Sequence, residues 1–404
     1  MTAFCKRNAF FFFFFLPKSI YRENYRLHKT ADLKKNLFFL LLASGFVSIK
    51  STAQDIFKGY EHLFTVPLHY TAYQIKDSLH IDGKMNEPAW LKAPWTVYFS
   101  DIEGDVKPRP DYTTRVKMLW DTTHLYIAAE MEEPHVWATL TRHDQIIYHD
   151  NDFEVFIDPD DDTHDYFEIE VNAFNTIFDL FLSRPYRNGG HLSTAWNANG
   201  LKSAVYINGT LNNPGDTDKK WTVEMAIPFS ALEKDSAAPE VKTGDRWRIN
   251  FSRVQWNTEI VDGKYKKKIN PATGKPFPEH NWVWSPQGVI NMHYPERWGY
   301  LWFAEQEAKK EHDDFVLPPS EELKKYLWLL YYKQKQYLSS NGKYALNLSQ
   351  LQLPPQINAK TGNEYSLQLT AAEKQFTATV TRNAGKEGWQ IDQNGKITRI
   401  RLRQ

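Results

Sequence analysis

Two short runs carry most of the side chains able to do chemistry. In Phe153–Asp158, Glu154, Phe156 and Asp158 alternate with Phe153, Val155 and Ile157. In Tyr166–Asn172, Glu168, Glu170 and Asn172 alternate with Phe167, Ile169 and Val171. Successive side chains of an extended chain point to opposite faces, so each run presents one apolar face and one polar face. If the two strands are neighbours their carboxylates cluster, and like charges on adjacent strands repel. Arg142, Arg253, a cation or a ligand would have to offset such a cluster; the plain alternative is a solvated polar sheet face. Glu154 and Glu170 are also the obvious pair for general acid–base chemistry by two carboxyl groups, one of them with a raised pKa.

The remaining candidates are weaker. Asp158, Asp160 and Asp162 are spaced like the start of a calcium-binding helix–loop–helix, but Thr163 replaces the glycine and Ile169 the closing glutamate. A solvated acidic turn is expected there, with structural calcium as the alternative and no other cofactor. His143, His149 and His164 lie close together without a spacing that suits a metal. No stretch matches the phosphate-binding GxxxxGK[ST] loop, the dinucleotide GxGxxG turn, the HExxH zinc helix or the GxSxG nucleophile elbow, which disfavours those chemistries.

Alternation and turn residues place these side chains on strands. Expected strands are Arg115–Trp120, Leu125–Met131, Phe153–Ile157, Tyr166–Val171, Ile177–Phe181, Trp221–Ile227 and Trp247–Val254, too closely spaced for helical crossovers. The fold class is therefore all-β, a sandwich of two antiparallel sheets over residues 70–303. Residues 304–320, charged and ending in Pro318-Pro319-Ser320, read as a linker. A small α+β region fills 321–404. It opens with a helix of about 18 residues whose Leu323, Tyr326, Leu327 and Leu330 share one face and which Ser320 is expected to cap. A meander over Tyr365–Leu369, Phe376–Val380, Trp389–Ile391 and Ile397–Leu402 follows, its last turn marked by Asn394-Gly395.

Composition bounds the function. The 404 residues carry 49 Lys or Arg and 49 Asp or Glu, so there is no basic excess of the kind that binds nucleic acid. The single cysteine, Cys5, cannot form an internal disulfide or a thiolate zinc cluster. Residues 1–53 read as an N-terminal extension plus signal peptide: Lys34 and Lys35 precede the apolar run Leu37–Val47, and Ser51-Thr52-Ala53 offers a cleavage site. The run is too short to span a bilayer. The phenylalanine tract Phe10–Phe15 upstream of it points to a start codon placed too early. Cleavage after Ala53 removes nine basic and two acidic residues, leaving an acidic mature chain of net charge −7. An exported protein, periplasmic, cell-surface or extracellular, without an integral membrane span is expected.

Nine pieces in order carry a family resemblance: LHIDG (79–83), EPAW (87–90), VKMLWD (116–121), LYI (125–127), NDFEVFID (151–158), YFEIEVN (166–172), WTVEMAIP (221–228), WRINF (247–251), and WS (284–285) with RWG (297–299). From Leu79 to Phe303 the chain resembles the family 9 carbohydrate-binding modules. The resemblance implies a β-sandwich that holds a saccharide between two aromatic side chains, while planar polar groups pair its hydroxyls. It places Tyr148 at the first aromatic platform and Glu154 at the hydroxyl-binding carboxylate, with Glu170, Asn172, Arg253 and His293 completing the candidate site.

Two departures stand out. Glu170 occupies a position where sugar-binding members carry arginine, and Met292-His293 falls where a second tryptophan platform belongs; His293, Tyr294 or Trp298 are the substitutes at hand. Regular alternation from Trp247 puts Arg253 on the apolar face, where it would need a carboxylate partner, unless a bulge near Ser252 turns it into the cleft.

The resemblance implies a non-catalytic protein that binds a saccharide or polysaccharide, supporting its catabolism beside a separate enzyme or surface assembly. The alternatives are O-glycosyl hydrolysis by Glu154 and Glu170, an extracellular scaffold, and, as in haem-binding relatives of the sandwich, axial ligation by Met292, His293 or Met131.

Overall fold

The computed structural model describes residues 55–234, 237–305, 315–359, 361–382 and 387–401. The expected signal segment, and residues 306–314 of the expected linker, lie outside the described residues. Residues 55–404 belong to one compact unit.

The sandwich strands are β1 (His69–Gln74), β2 (Thr114–Trp120), β3 (His124–Glu132), β4 (Asp152–Asp158), β5 (Tyr166–Asn172), β6 (Ile177–Leu182), β7 (Lys202–Asn208), β8 (Lys220–Pro228), β9 (Arg246–Gln255), β10 (His280–Val283) and β11 (Gly299–Ala304). All seven expected strands are present. They form one continuous sheet in the order β6-β5-β4-β9-β11-β1-β2-β3-β8-β7, with β10 on the far half of β9. Strand β1 runs parallel to both β11 and β2 and links the two layers, a departure from the purely antiparallel pairing expected. Parallel pairing is possible because β1 enters from one end of the chain and β11 from the other, so no hairpin constrains their directions.

Alternation does what it must. Phe153, Val155 and Ile157 of β4, Phe167, Ile169 and Val171 of β5, and Ile249 and Phe251 of β9 meet Val116, Met118, Ile127, Met131, Val223 and Met225 of the facing layer in one buried core. Their every-second neighbours face outward on the β4–β5–β9 layer, where the carboxylates lie.

A second core joins helix α1 (Pro319–Asn341) to a five-stranded sheet, β12 (Gln356–Asn358), β13 (Glu364–Ala372), β14 (Gln375–Arg382), β15 (Glu387–Asp392) and β16 (Ile397–Arg401). The helix begins two residues earlier than expected, with Pro319 in its first turn and no side-chain cap, so Ser320 lies inside it rather than capping it. Proline suits that position because its missing N–H has no partner to lose. Gly342, at φ +71°, closes the helix in the left-handed conformation that glycine adopts without strain. The helix buries Tyr326 through Tyr332 without a break, not one face alone. The reason is that it is covered on two sides: Tyr326 meets Tyr365 of the small sheet, whereas Tyr332 and Tyr331 bond to Glu296 and Asn188 of the sandwich. Residues Ile56, Phe57, Tyr60, Leu63 and Phe64, ahead of the sandwich, pack into this second core as well.

Candidate functional site

The outer face of β4 and β5 brings four carboxyl groups together. Glu154 stands directly opposite Glu170 on β5 and Ser252 on β9; Glu168 pairs with Phe156, and Asp152 with Asn172. The segment 139–150 covers this face. It is clipped by Asp150, whose carboxylate accepts from the Thr139 and Leu140 backbone N–H groups at 2.7 and 2.9 Å, and it buries Ile147 against Phe156, Tyr166 and Trp298. The Tyr148 N–H donates to Glu170 at 3.1 Å. As a result Asp152, Glu154, Glu168 and Glu170 are only 0, 5, 5 and 3% exposed.

Burial is the main cause of a common electrostatic effect, because a carboxylate leaves water at a cost. It pushes Glu154 up to about 7. Glu168 and Glu170 are raised well above the usual carboxylate range by burial and then by the charge of Glu154, and Asp152 by the same two causes. Among the described residues none of the four is in an ion pair. The nearby Lys267 ammonium, seated over the Trp256 ring at 3.2 Å, is pulled down to about 8 by its own burial.

Aromatic walls stand around the carboxylates. Tyr148 is half-buried beside Trp256, whose indole N–H donates to the Tyr148 carbonyl at 2.8 Å. Tyr186, 40% exposed, sits in a one-turn helix of Tyr186–Asn188 after Pro185, and its ring meets His293 edge-on at 4.4 Å. The charges of Glu168 and Glu170 add to burial in raising the Tyr186 phenol. His293 bonds through Nδ1 to the Tyr166 hydroxyl at 2.9 Å, and burial together with the Arg187 charge lowers it to about 3, so the imidazole is neutral.

The structure thus brings Tyr148, Glu154 and Glu170 together, with His293 linked to them through Tyr186, keeps Asn172 beside Asp152 but fully bonded, and turns Arg253 to the other face. Asn172 is spent on its own surroundings: its amide donates to the Leu140 carbonyl and Asp150, and its oxygen accepts from the Phe174 and Thr176 N–H groups. Arg253 lies on the core face. The β4–β9 register runs unbroken through Ser252, so no bulge turns it outward; its guanidinium instead donates to Glu133 at 3.0 Å, to Gln255 and to Thr114. Trp298 is wholly buried, with its indole N–H on the Met292 carbonyl, and Tyr294 stacks on Arg187 at 3.9 Å. Met131 is in the sandwich core, away from the face that carries His293.

Tyr186, Asp152 and Lys267 were not expected at the site. An aromatic between proline and Gly189-Gly190 in a loop was the available signal for Tyr186, and the alternation that singled out Glu154 extends one step back to Asp152. The Asp158–Asp162 turn is partly exposed, as expected, and is also ion-paired: Asp160 and Asp162 pair with Lys234, and Asp161 with Arg248 and Lys324.

Residues 81–251 match the family model described as carbohydrate family 9 binding domain-like, and this segment is of that type. Exoglucanase XynX of Acetivibrio thermocellus is 26% identical over 152 residues, 38% of this chain and 12% of that protein. The chain therefore spans a small fraction of that relative's length. Among solved structures, a putative carbohydrate-binding protein from Bacteroides uniformis is 15% identical, covering 59% of this chain and 99% of that chain with a TM-score of 0.43. A family 9 module from Caldicellulosiruptor kristjanssonii in complex with cellotriose is 14% identical, covering 62% and 98% with a TM-score of 0.35. No helix among the described residues is long and apolar enough to cross a membrane.

Proposed function

We propose that the protein is exported and binds a saccharide without cleaving it, in the cleft over β4 and β5. The observation that carries this reading is the juxtaposition of Glu154 and Glu170 with Tyr148 and Tyr186, within the segment matched to the carbohydrate-binding family. Carboxylate oxygens accept hydrogen bonds from neighbouring hydroxyls in pairs, and a tyrosine face covers the C–H face of a pyranose. Tyr186 supplies the second aromatic surface that the sequence lacks near Met292-His293.

Hydrolysis is less well supported. Glycosidases place their two carboxyl groups on either side of the scissile bond, about 5 Å apart or more. Here Glu154 and Glu170 stand side by side on adjacent strands of one sheet face rather than across a bound chain from each other, and one oxygen of each lies within 4.8 Å of the other's. Export is read from Lys34, Lys35, the apolar run and Ala53, and N-terminal sequencing of the protein recovered outside the cytoplasm checks it.

The test is retention of the purified protein on an array of plant, algal and bacterial glycans, with new reducing ends measured in parallel. Retention without reducing ends is expected. Tyr148→Ala and Tyr186→Ala should each weaken it about 5- to 30-fold, the equivalent of about 1–2 kcal/mol of lost apolar contact. Unchanged retention in both variants would place the ligand elsewhere, and reducing-end release abolished by Glu154→Gln would make the protein an enzyme.

A further inference from the structure

We propose that Asp152, Glu154 and Glu170 form a binding site for a divalent cation of the calcium type, with the Ser252 hydroxyl as a neutral fourth ligand. One oxygen from each of the three carboxylates lies within 4.8 Å of the others. Ligand oxygens around calcium sit at about 2.3–2.6 Å from the ion, so two on opposite sides are about 4.6–5.2 Å apart and adjacent ones closer. The cluster already has the size of a calcium shell, and its ligands are the hard oxygens that this ion selects.

A second observation points to a missing partner. Asp152 Oδ2 is wholly buried and has no hydrogen-bond partner, and the equally buried Ser252 Oγ has none beyond the Glu154 carboxylate of the same cluster. Cross-strand pairing sets Ser252 directly opposite Glu154, so its hydroxyl is on the carboxylate face and is aimed into the cluster. A buried oxygen without a donor is costly, and one cation in the middle would satisfy both atoms together with the charges. A second acidic group among the described residues, Asp158 with Asp160 and Asp162, contrasts in this respect: Lys234 reaches Asp160 and Asp162, and Asp158 accepts from the Asp161 and Thr163 N–H groups. Its charges are already met.

The three carboxylates span β4 and β5, and Ser252 lies on β9, so the ion would tie three strands beneath Tyr148. Calcium accepts six to eight oxygens, and positions left over by the protein would take vicinal hydroxyls of a ligand. This second use rests on the saccharide reading, whereas the cation site does not.

Calorimetric titration of chelator-stripped protein with calcium chloride, with no saccharide present, tests the site. One ion per chain is expected, with a dissociation constant of about 0.1–1 mM, as in extracellular modules. Glu154→Gln and Glu170→Gln should each weaken binding at least about tenfold, while Asp160→Asn leaves it unchanged. Both glutamine variants remove a repelling charge, so without calcium they should melt no lower than the parent, and calcium should raise the melting temperature of the parent alone. No heat and no melting shift in the parent would overturn the proposal, as would loss of binding in Asp160→Asn but not in Glu154→Gln. Glycan retention measured with calcium and with chelator separates the second use: calcium binding with chelator-insensitive retention keeps the ion site and removes its role in holding saccharide.

Discussion

Replacing Arg187 by methionine should detach the C-terminal region from the walls of the cleft. The Arg187 guanidinium donates to both oxygens of Glu296 at 2.8 Å, to the His293 carbonyl at 2.9 Å and to the Tyr331 hydroxyl at 3.3 Å, and it stacks on Tyr294. Glu296 is itself buried and also accepts from Tyr332 of the helix at 2.6 Å. Removing one member of such a pair leaves the other charge uncompensated, which costs about 3–5 kcal/mol. Because Tyr186 precedes Arg187 and His293 shares its network, the cleft walls should loosen together with the helix.

Urea unfolding is the assay. The parent should unfold in one transition, since Arg187, Asn188 and Glu296 join the two cores, and the variant should lose about 1 M or more in midpoint. The double variant Arg187→Met with Glu296→Gln should recover at least about 2 kcal/mol of the loss, because most of it is the stranded carboxylate. A loss below about 1 kcal/mol, or a double variant no better than the single one, would refute the reasoning, and two separated transitions in the parent would refute the shared unit.

Two more outcomes follow from the charges. In chelator-treated protein the folded-state pKa of Glu154, about 7, lies above its ordinary value, so its contribution to stability is fully present below about pH 4.5 and is lost as pH rises through about 7. Calorimetry should show the melting temperature falling over that window and falling less in Glu154→Gln, with the single carboxyl worth about 3 kcal/mol at most; a flat profile in the parent would contradict it. Arg253→Met should destabilise by about 3–5 kcal/mol, because Glu133 then stands buried without its partner, yet the folded variant should keep its saccharide affinity, and a selective loss of affinity at unchanged stability would put Arg253 back in the site.

Much of this molecule is legible before folding. Period-two alternation located seven sandwich strands and assigned Glu154 to the face opposite Phe153 and Val155, because side-chain direction along a strand is a local property. The same rule put Arg253 on the core face. It did not reveal β1, β7, β10 or β11: in β7, an edge strand, every residue is exposed or only partly buried, so no burial contrast marks it. Nor could it bound the burial of α1, where Trp328, Leu329 and Tyr331 are covered because a sheet and a sandwich close on it from two sides.

The sequence by itself determined which side chains share a face, the all-β class, and the spacing of carboxylates along each strand. Only the tertiary structure decided that β4, β5 and β9 are neighbours, which turns three separate acids and a serine into one cluster, and that the 139–150 segment covers them. It also decided that Asn172 and Arg253 are occupied while Tyr186 is brought near Glu168 and Glu170. The physical reason is that alternation acts over two residues, whereas strand neighbourhood, loop closure and charge compensation depend on distant partners, such as Glu133, which is 120 positions from Arg253.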